Sequence, residues 1–358
     1  MKSLCLLLVL VGAPALAEDA AAAPDCMAAV TPVVTLGFGS RYAADSQSRS
    51  DLDEGGDAAV SAALKPIDDF IPGLARQTDH LLQADMATTP SLADQKAQLA
   101  VANCVIDRIN ESATAGALAD LTTLGANLSA PSRVGGIAFA SAAVRSRVPP
   151  DARTRATDIW LTARARQIMT FLDTAAPPRA SENNLRAWAG LAVTRIGLTL
   201  DDAALIEWGA ASASLVACNA SHDGSLPNAM WRVKLALHDQ LHATGPLVVS
   251  AALLRDARPG LLDDCDSAIP RIVGFTLAAL AEPEIVKAIT GKTQSVGGKA
   301  NPARDFELAW GAASLSLIPD PKLEALIAPI EQLGNSKLGG DQRLLWPLSS
   351  GTVAPSEG

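Results

Sequence analysis

Two histidines one helical turn apart are the feature of this sequence that most suggests chemistry. His238 and His242 are half of the four histidines in the chain. At about 100° per residue they fall on one stripe of a helix, together with Trp231 and Leu235. Imidazole changes its protonation state near neutral pH, so the pair could transfer protons or bind a metal ion. The alternative is that both side chains are partly buried and have a structural role.

The segment 238–242 also bears on metal binding. It reads His-Asp-Gln-Leu-His, which is similar to the H-E-x-x-H helix of zinc proteases. Asp is one carbon shorter than the Glu that acts as the base in that motif, and no third ligand is evident nearby. We therefore predict no metal ion and no other cofactor. A metal-dependent hydrolase built on His238 and His242 stays open as an alternative.

Two other polar segments have simple structural interpretations when each is taken alone. Asn183 and Asn184 precede a helical pattern that contains Trp188. Such a pair is typical of a helix N-cap, where the Asn side chain accepts a hydrogen bond from a free backbone N–H. A loop rich in Ser, Asp and Gly carries Arg41 and Tyr42, the only tyrosine of the chain. This loop is typical of a solvated surface segment.

The elements that must position these residues are helices. From residue 57 to about 333, apolar residues recur at spacings of three and four, as at Leu185 and Trp188. Strand-like alternation is scarce, and neither an internal repeat nor a long linker divides the chain. The pattern predicts one all-α domain, either a solenoid-like stack or an α/α toroid. The segments 135–144 and 246–254 are apolar on nearly every face, which favours a double-layered toroid.

The helical pattern can be divided at its polar breaks. The predicted helices run over 57–83, 91–110, 115–126, 132–147, 150–174, 184–199, 202–219, 228–242, 245–256, 266–281, 302–317 and 321–333.

Composition excludes several classes of protein. With 49% hydrophobic and 19% charged residues, the chain is too apolar to be disordered. A net charge of −9 provides no overall attraction for nucleic acid or for an anionic membrane surface. No segment approaches the run of about 20 apolar residues that a transmembrane helix needs. We therefore predict no nucleic-acid partner and no insertion into a membrane.

The N-terminus has the layout of a secretory signal peptide. Lys2 provides a positive start, residues 4–11 form an apolar stretch, and Ala15-Leu16-Ala17 is a small-residue cleavage site. We expect the segment 1–17 to be removed and the mature protein to be exported to the periplasm.

The cysteines agree with export to an oxidising compartment. Cys26, Cys104, Cys218 and Cys265 remain after the predicted cleavage. An even number permits up to two disulfides with three possible connectivities. The alternative is that the four are buried small hydrophobic residues.

Taken in order, the polar segments resemble the alginate lyases of polysaccharide lyase family 5. The resemblance covers nearly the whole mature chain, and its most specific piece is the Asp-Gly-x-Leu-Pro-Asn string at 223–228. The segments that carry it are Ser40-Arg41-Tyr42, Asn183-Asn184-x-x-x-Trp188, Asp223-Gly224-x-Leu226-Pro227-Asn228, Phe306-Glu307-Leu308-Ala309-Trp310 and Leu338-Gly339-Gly340-Asp341.

The resemblance implies a single incomplete α/α toroid, with a deep cleft that degrades a polyuronate by β-elimination. It implies an anionic polysaccharide as the partner. We divide the chain into a signal peptide over 1–17, an N-terminal extension with a lid-like loop over 18–56, the toroid over 57–345 and a C-terminal tail over 346–358.

The sequence departs from the family at the catalytic positions. The family carries an Asn-His pair, but Leu185 follows Asn184 here. On the next helix, Leu235 stands where the family has Arg, and His242 stands where it has the Tyr that acts as base and acid. Because the only tyrosine is Tyr42 on the N-terminal loop, the acid–base chemistry must come from the histidines, chiefly His238 and His242, or from Tyr42 folding over the cleft.

Elimination from a 4-linked uronate needs a neutralised carboxylate, a base for the C5 proton and an acid for the departing O4. We predict that Asn184 hydrogen-bonds the carboxylate, that His242 is the base and that His238 is the acid. An imidazole with a free pKa of about 6.5 suits the role of base at neutral pH. The predicted substrate-binding residues are Arg41, Tyr42, Asn183, Trp188, Asn228, Trp231, Arg232 and Lys234.

Three functions therefore stay open. The first is an exported lyase that cleaves a uronate-containing polysaccharide. The second is a catalytically inactive polyuronate-binding protein of the same fold, working with the machinery that exports an exopolysaccharide. The third is the metal-dependent hydrolase.

Overall fold

The computed structural model describes residues 25–86 and 91–347. The predicted signal peptide and nearly all of the predicted C-terminal tail lie outside the described residues. No helix in the described ranges is long and apolar enough to cross a membrane.

The regular elements of the described chain are almost all helices, as predicted. The helices are α1 (Glu54–Asp85), α2 (Leu92–Thr114), α3 (Leu124–Val144), α4 (Ala152–Thr174), α5 (Asn184–Leu200), α6 (Ala203–Cys218), α7 (Pro227–Met230), α8 (Ala236–Leu254), α9 (Asp264–Ala281), α10 (Glu284–Thr290), α11 (Gly311–Leu317), α12 (Pro321–Ile327) and α13 (Gln342–Leu345).

Four two-residue strands form two small sheets. The strands β1 (Thr35–Leu36) and β2 (Asp120–Leu121) pair in parallel, which ties the N-terminal segment to the connection between α2 and α3. The strands β3 (Gly334–Asn335) and β4 (Gly340–Asp341) pair antiparallel, and we call residues 334–341 the C-terminal hairpin.

The helices form two layers. In the inner layer, α1, α3, α5 and α8 each contact the next, while α2, α4, α6 and α9 pack outside them. Residues on nearly every face of α3, α5 and α8 are buried, because these helices are covered by both the inner and the outer layer. The C-terminal hairpin packs against α1, α3 and α8, and so lies across the ring.

Two disulfides join distant parts of the chain. Cys26–Cys104 fastens the N-terminal segment to α2, and Cys218–Cys265 links the end of α6 to the start of α9. The sequence permitted these bonds and left their connectivity open. The alternative of four separate buried thiols is wrong.

Several predicted helix boundaries are wrong. Residues 120–121 form strand β2, so there is no helix over 115–126, and Thr123 caps α3 from its side chain. The predicted break at 243–244 is absent, because α8 continues through Pro246. The break lies earlier, where the short 3₁₀ turn 233–235 separates α7 from α8. The helix expected over 302–317 begins only at Gly311.

Candidate active site

The inner helices bring polar side chains to one end of the ring. Asn184 is the first residue of α5, and His238 and His242 lie in the first two turns of α8. Trp188 lies one turn after Asn184, so it faces the same way. The structure therefore brings together the three predicted catalytic residues and one predicted substrate-binding residue.

The ring of His242 is held by two hydrogen bonds to the same nitrogen. Nδ1 of His242 lies 2.9 Å from Nδ2 of Asn184 and 3.2 Å from Nε1 of Trp188. An indole N–H can only donate, so Nδ1 must be the acceptor and the neutral ring carries its hydrogen on Nε2. Asn184 then donates through its amide nitrogen.

The environment of His242 also keeps the ring neutral. Burial lowers the pKa of His242 to about 3, and the nearby charges of His238, Lys337 and Arg133 act in the same direction. If Nδ1 took up a proton, its new N–H would face the N–H groups of Asn184 and Trp188, and both hydrogen bonds would be lost. These observations do not support His242 as the base, because its only lone pair in the plane of the ring is already occupied.

His238 has the opposite arrangement. Its side chain is 38% exposed, and Nδ1 lies 3.5 Å from Oε1 of Glu307, which is largely buried. Burial alone would raise the pKa of Glu307, but contacts with His238 and Arg304 outweigh it and lower the pKa to about 2. An ionised carboxylate facing Nδ1 favours the tautomer with its hydrogen there, which leaves Nε2 of His238 able to accept a proton.

The two imidazoles share one cavity. Their rings are stacked, with centroids 6.1 Å apart, beside a cavity of about 50 Å³. The residues that line it come from α5, α8, the 3₁₀ turn 305–307, the start of α11 and the C-terminal hairpin. They are Trp188, His238, Leu241, His242, Gly245, Phe306, Glu307, Trp310, Asn335 and Leu338.

The charged side chains just before α8 have different partners from those predicted. Arg232 donates to Asp239 at 2.9 Å and to the carbonyl oxygen of Arg49 at 2.6 Å, and its guanidinium lies 4.9 Å from the ring centre of Tyr42. These contacts hold the lid-like loop instead of leaving a free charge for a substrate. Arg232 and Tyr42 are therefore positioned to fix the loop.

Lys234 also contacts the lid-like loop. Its Nζ donates to Asp51 at 2.6 Å. Arg41, on the same loop, lies 3.6 Å from Asp57 at the start of α1. The loop thus bridges α1 and the segment before α8, and Arg41 is the one of these predicted cations that the structure places near the cleft charges.

Three further predicted substrate-binding residues lie away from the two-histidine cavity. Asn183 caps α5 by accepting from the Leu185 N–H, which is the simple interpretation of that motif. Asn228 lies beside a different, very small pocket. The ring of Trp231 is covered by the guanidinium of Arg179, 3.9 Å from its centre. None of the three contributes to the lining of the two-histidine cavity.

Sequence reasoning missed a charged cluster next to this site, formed by Asp68, Arg133 and Lys337. Asp68 of α1 pairs with Arg133 of α3 at 2.7 Å and with Lys337 of the C-terminal hairpin at 3.5 Å. It also missed Glu307. Both Glu307 and Lys337 lie in or beside the motifs that carried the family resemblance, which was the signal that could have found them.

No group of three or more His, Cys, Asp or Glu residues that could hold a metal ion occurs within residues 25–86 and 91–347. The metal-dependent hydrolase therefore lacks a ligand set in these ranges.

Comparison with known proteins agrees with the fold. The family model for alginate lyases matches residues 114–286. A polysaccharide lyase of Stenotrophomonas maltophilia is 32% identical over 158 residues, which cover 44% of this chain and 46% of that protein. An alginate lyase of Azotobacter chroococcum is 25% identical over 328 residues, which cover 89% of this chain and 83% of that protein. The chain is therefore similar to alginate lyases over most of its length.

Among solved structures, the chain is similar to alginate lyase A1-III. A histidine-to-alanine variant of that protein, complexed with a tetrasaccharide, superimposes with a TM-score of 0.71 over 92% of this chain and 88% of the other at 19% identity. Alginate lyase A1-III from Sphingomonas species A1 gives a TM-score of 0.65 at 20% identity. These matches establish the α/α toroid fold.

Proposed function

We propose that this protein is a polysaccharide lyase that cleaves a uronate-containing polymer by β-elimination. The observation that carries the proposal is that His238 and His242 line one cavity, with Asn184 hydrogen-bonded to His242 and Glu307 oriented toward His238. The similarity to alginate lyases over most of the chain supports the same reaction.

The geometry favours His238 as the base. Its Nε2 can accept the C5 proton, while Glu307 opposite Nδ1 stabilises the imidazolium that forms. The ring of His242 stays neutral, so its Nε2–H can donate a hydrogen bond to the substrate carboxylate, which makes the C5 proton more acidic. The imidazolium of His238 then protonates the departing O4, so one residue serves as base and acid.

The reaction leaves an unsaturated uronate at the new non-reducing end, and its conjugated double bond absorbs ultraviolet light. We expect purified protein to produce this absorbance with at least one polymer from a panel of polyuronates. Absence of product with every polymer, combined with measurable binding to one of them, would contradict the lyase and favour the polyuronate-binding protein. This second function is favoured by the aliphatic residues Leu185 and Leu235, which stand at two of the family's catalytic positions.

We further propose that the protein acts in the periplasm, on the basis of the signal-like layout of residues 1–17. Cell fractionation of the full-length chain would test this, and retention of the uncleaved protein in the cytoplasm would contradict it. A role beside the exopolysaccharide secretion machinery is an extension of this proposal, and co-purification with envelope proteins would test it.

A further inference from the structure

The cluster of Asp68, Arg133 and Lys337 contains an excess of positive charge beside the two-histidine cavity. Two cations share one carboxylate, since Asp68 contacts both Arg133 and Lys337. The chain as a whole carries a net charge of −9, so it repels a polyanion except where cations are concentrated. We therefore expect a local excess of positive charge at a cleft to bind an anionic ligand.

The cluster faces the same cleft as His242. Asn335 and Leu338, on either side of Lys337 in the C-terminal hairpin, line the cavity that contains the two histidines. Arg133 and Lys337 both act electrostatically on His242, and Arg41 of the lid-like loop acts on Lys337. The cluster and the cavity are thus neighbouring parts of one site.

Lys337 retains hydrogen-bonding capacity for a ligand. Its ammonium carries three donors, and its contact among the described residues is the 3.5 Å approach to Asp68. About a third of the Lys337 side chain is exposed. By contrast, Arg232 and Lys234 already have short contacts with acidic or carbonyl oxygens of nearby segments.

We propose that Lys337, supported by Arg133, forms the subsite that holds a uronate carboxylate in the cleft. This inference rests on the proposed function and names the group that binds the anionic part of its substrate. Arg133 is a positioning residue, because its side chain is largely buried and fixes Asp68. Within this cluster, Lys337 is the residue that contacts the carboxylate.

The charge of Lys337 adds a pH dependence that can be measured. Burial lowers the pKa of Lys337 to about 8, Arg133 and Arg41 act in the same direction, and Asp68 opposes them. The carboxylate-binding role requires the protonated amine. The KM for a polyuronate should therefore rise as the pH increases through about 8, with kcat changing less.

The test measures binding in the background of His238→Gln, so that the substrate is not consumed. The probes are a short oligouronate and its carboxyl-reduced, uncharged counterpart. We expect Lys337→Met to weaken oligouronate binding about tenfold or more and to leave binding of the uncharged oligomer unchanged. Lys96→Met, which removes an exposed lysine on α2, is the matched control and should change neither affinity.

Lys337→Arg provides a second test that does not depend on the Met variant folding. Because arginine stays protonated, this variant should bind normally near neutral pH and lose the rise in KM above about pH 8. Equal affinity of Lys337→Met and its parent for the oligouronate would overturn the inference, and so would a kcat that increases as Lys337 loses its proton. If the unmodified protein binds no oligouronate, the proposed function fails as well.

Discussion

Two imidazoles on one helix face have different chemical capacities because their partners differ. Both hydrogen-bond partners of the His242 ring are donors, whereas the polar partner of the His238 ring is a carboxylate. The first arrangement favours a neutral ring that donates from Nε2, and the second favours a ring that can gain a proton. This difference is the basis of two predictions at the scale of single residues.

Replacing the base should abolish most of the activity. We expect His238→Gln to lower kcat by about a hundredfold or more, because no other described group in the cavity is positioned to take the C5 proton. Glu307→Gln should cause a smaller loss, since it removes the charge opposite Nδ1 and leaves the imidazole in place. Steady-state rates with a cleaved polyuronate would measure both effects.

His222→Gln is the matched control for that comparison, because His222 is exposed and lies outside the cavity. Its rate should equal that of the unmodified protein. A His238→Gln variant with a normal rate would show that the base is another group.

The low pKa of His242 predicts a loss of stability in acid. An unfolded histidine takes up a proton near pH 6.5, whereas folded His242 does so only near pH 3. As the pH falls between these values, the unfolded chain therefore gains a proton that the folded chain does not. The free energy of unfolding should decrease over this range.

His242→Gln removes this contribution, and its side-chain oxygen can still accept from Asn184 and Trp188. Between about pH 7.5 and pH 4.5, the Tm of the unmodified protein should fall by about 2 °C or more beyond the fall seen in the variant. Equal decreases in the two proteins would contradict a neutral His242.

At the scale of elements, the lid-like loop is held against the segment before α8. Lys234 pairs with Asp51, and Arg232 donates to the carbonyl of Arg49. These charges looked available for substrate in the sequence, because nothing in their spacing indicates that a loop some 180 residues earlier will contact them. The partners of Arg232 and Lys234 depend on the tertiary fold, which brings the loop against the segment before α8.

Breaking one of these contacts should loosen the loop. We expect Lys234→Met to increase the rate of proteolysis within residues 43–51, because the ion pair with Asp51 is lost. Lys65→Met is the matched control, since it breaks an exposed Lys–Asp pair within α1. Equal proteolysis of the loop in both variants would contradict a fastening role for Lys234.

The C-terminal hairpin is positioned by a carboxyl group of α1. Oδ1 of Asp79 accepts from the backbone N–H of Asp341 at 2.9 Å, and Gly340, with φ of 110°, leaves no room for a side chain beside it. Burial raises the pKa of Asp79 to about 6, and the charge of Asp341 acts in the same direction against the backbone hydrogen bond.

This raised pKa has a consequence of opposite sign to that of His242. Folding is favoured while Asp79 is protonated, and this contribution is lost as the pH rises from about 4 to above about 6. Asp79→Asn keeps an acceptor for Asp341 without the charge. It should raise the Tm by a few degrees at about pH 7.5 and change it little at about pH 4. A Tm of Asp79→Asn below that of the unmodified protein at about pH 7.5 would contradict this account.

At the scale of the whole molecule, the sequence contained enough information to predict the fold. Three-residue and four-residue apolar spacing, with some segments apolar on nearly every face, favours two layers of helices, and the structure has them. Asn184, Trp188, His238 and His242 could be assigned to one site because each lies in or near a motif that resembles the family. In the structure they lie side by side, on α5 and α8.

The rest of the site could not be predicted in this way. Glu307 and Lys337 reach the cleft from a 3₁₀ turn and a hairpin, whose placement depends on packing across the ring and not on local periodicity. Which ring nitrogen of His242 carries the hydrogen could not be predicted either, because this is determined by the hydrogen bond from Trp188 on another helix.

The most direct test of the central claim is to cleave a polyuronate in water enriched in heavy oxygen and to weigh the products. Elimination breaks the C4–O bond without consuming water, so we predict unsaturated products that contain no heavy oxygen from the cleavage step. The same products should be nearly absent with His238→Gln. Products that each carry one added water, with heavy oxygen incorporated at the cleaved bond, would contradict β-elimination and identify a hydrolase.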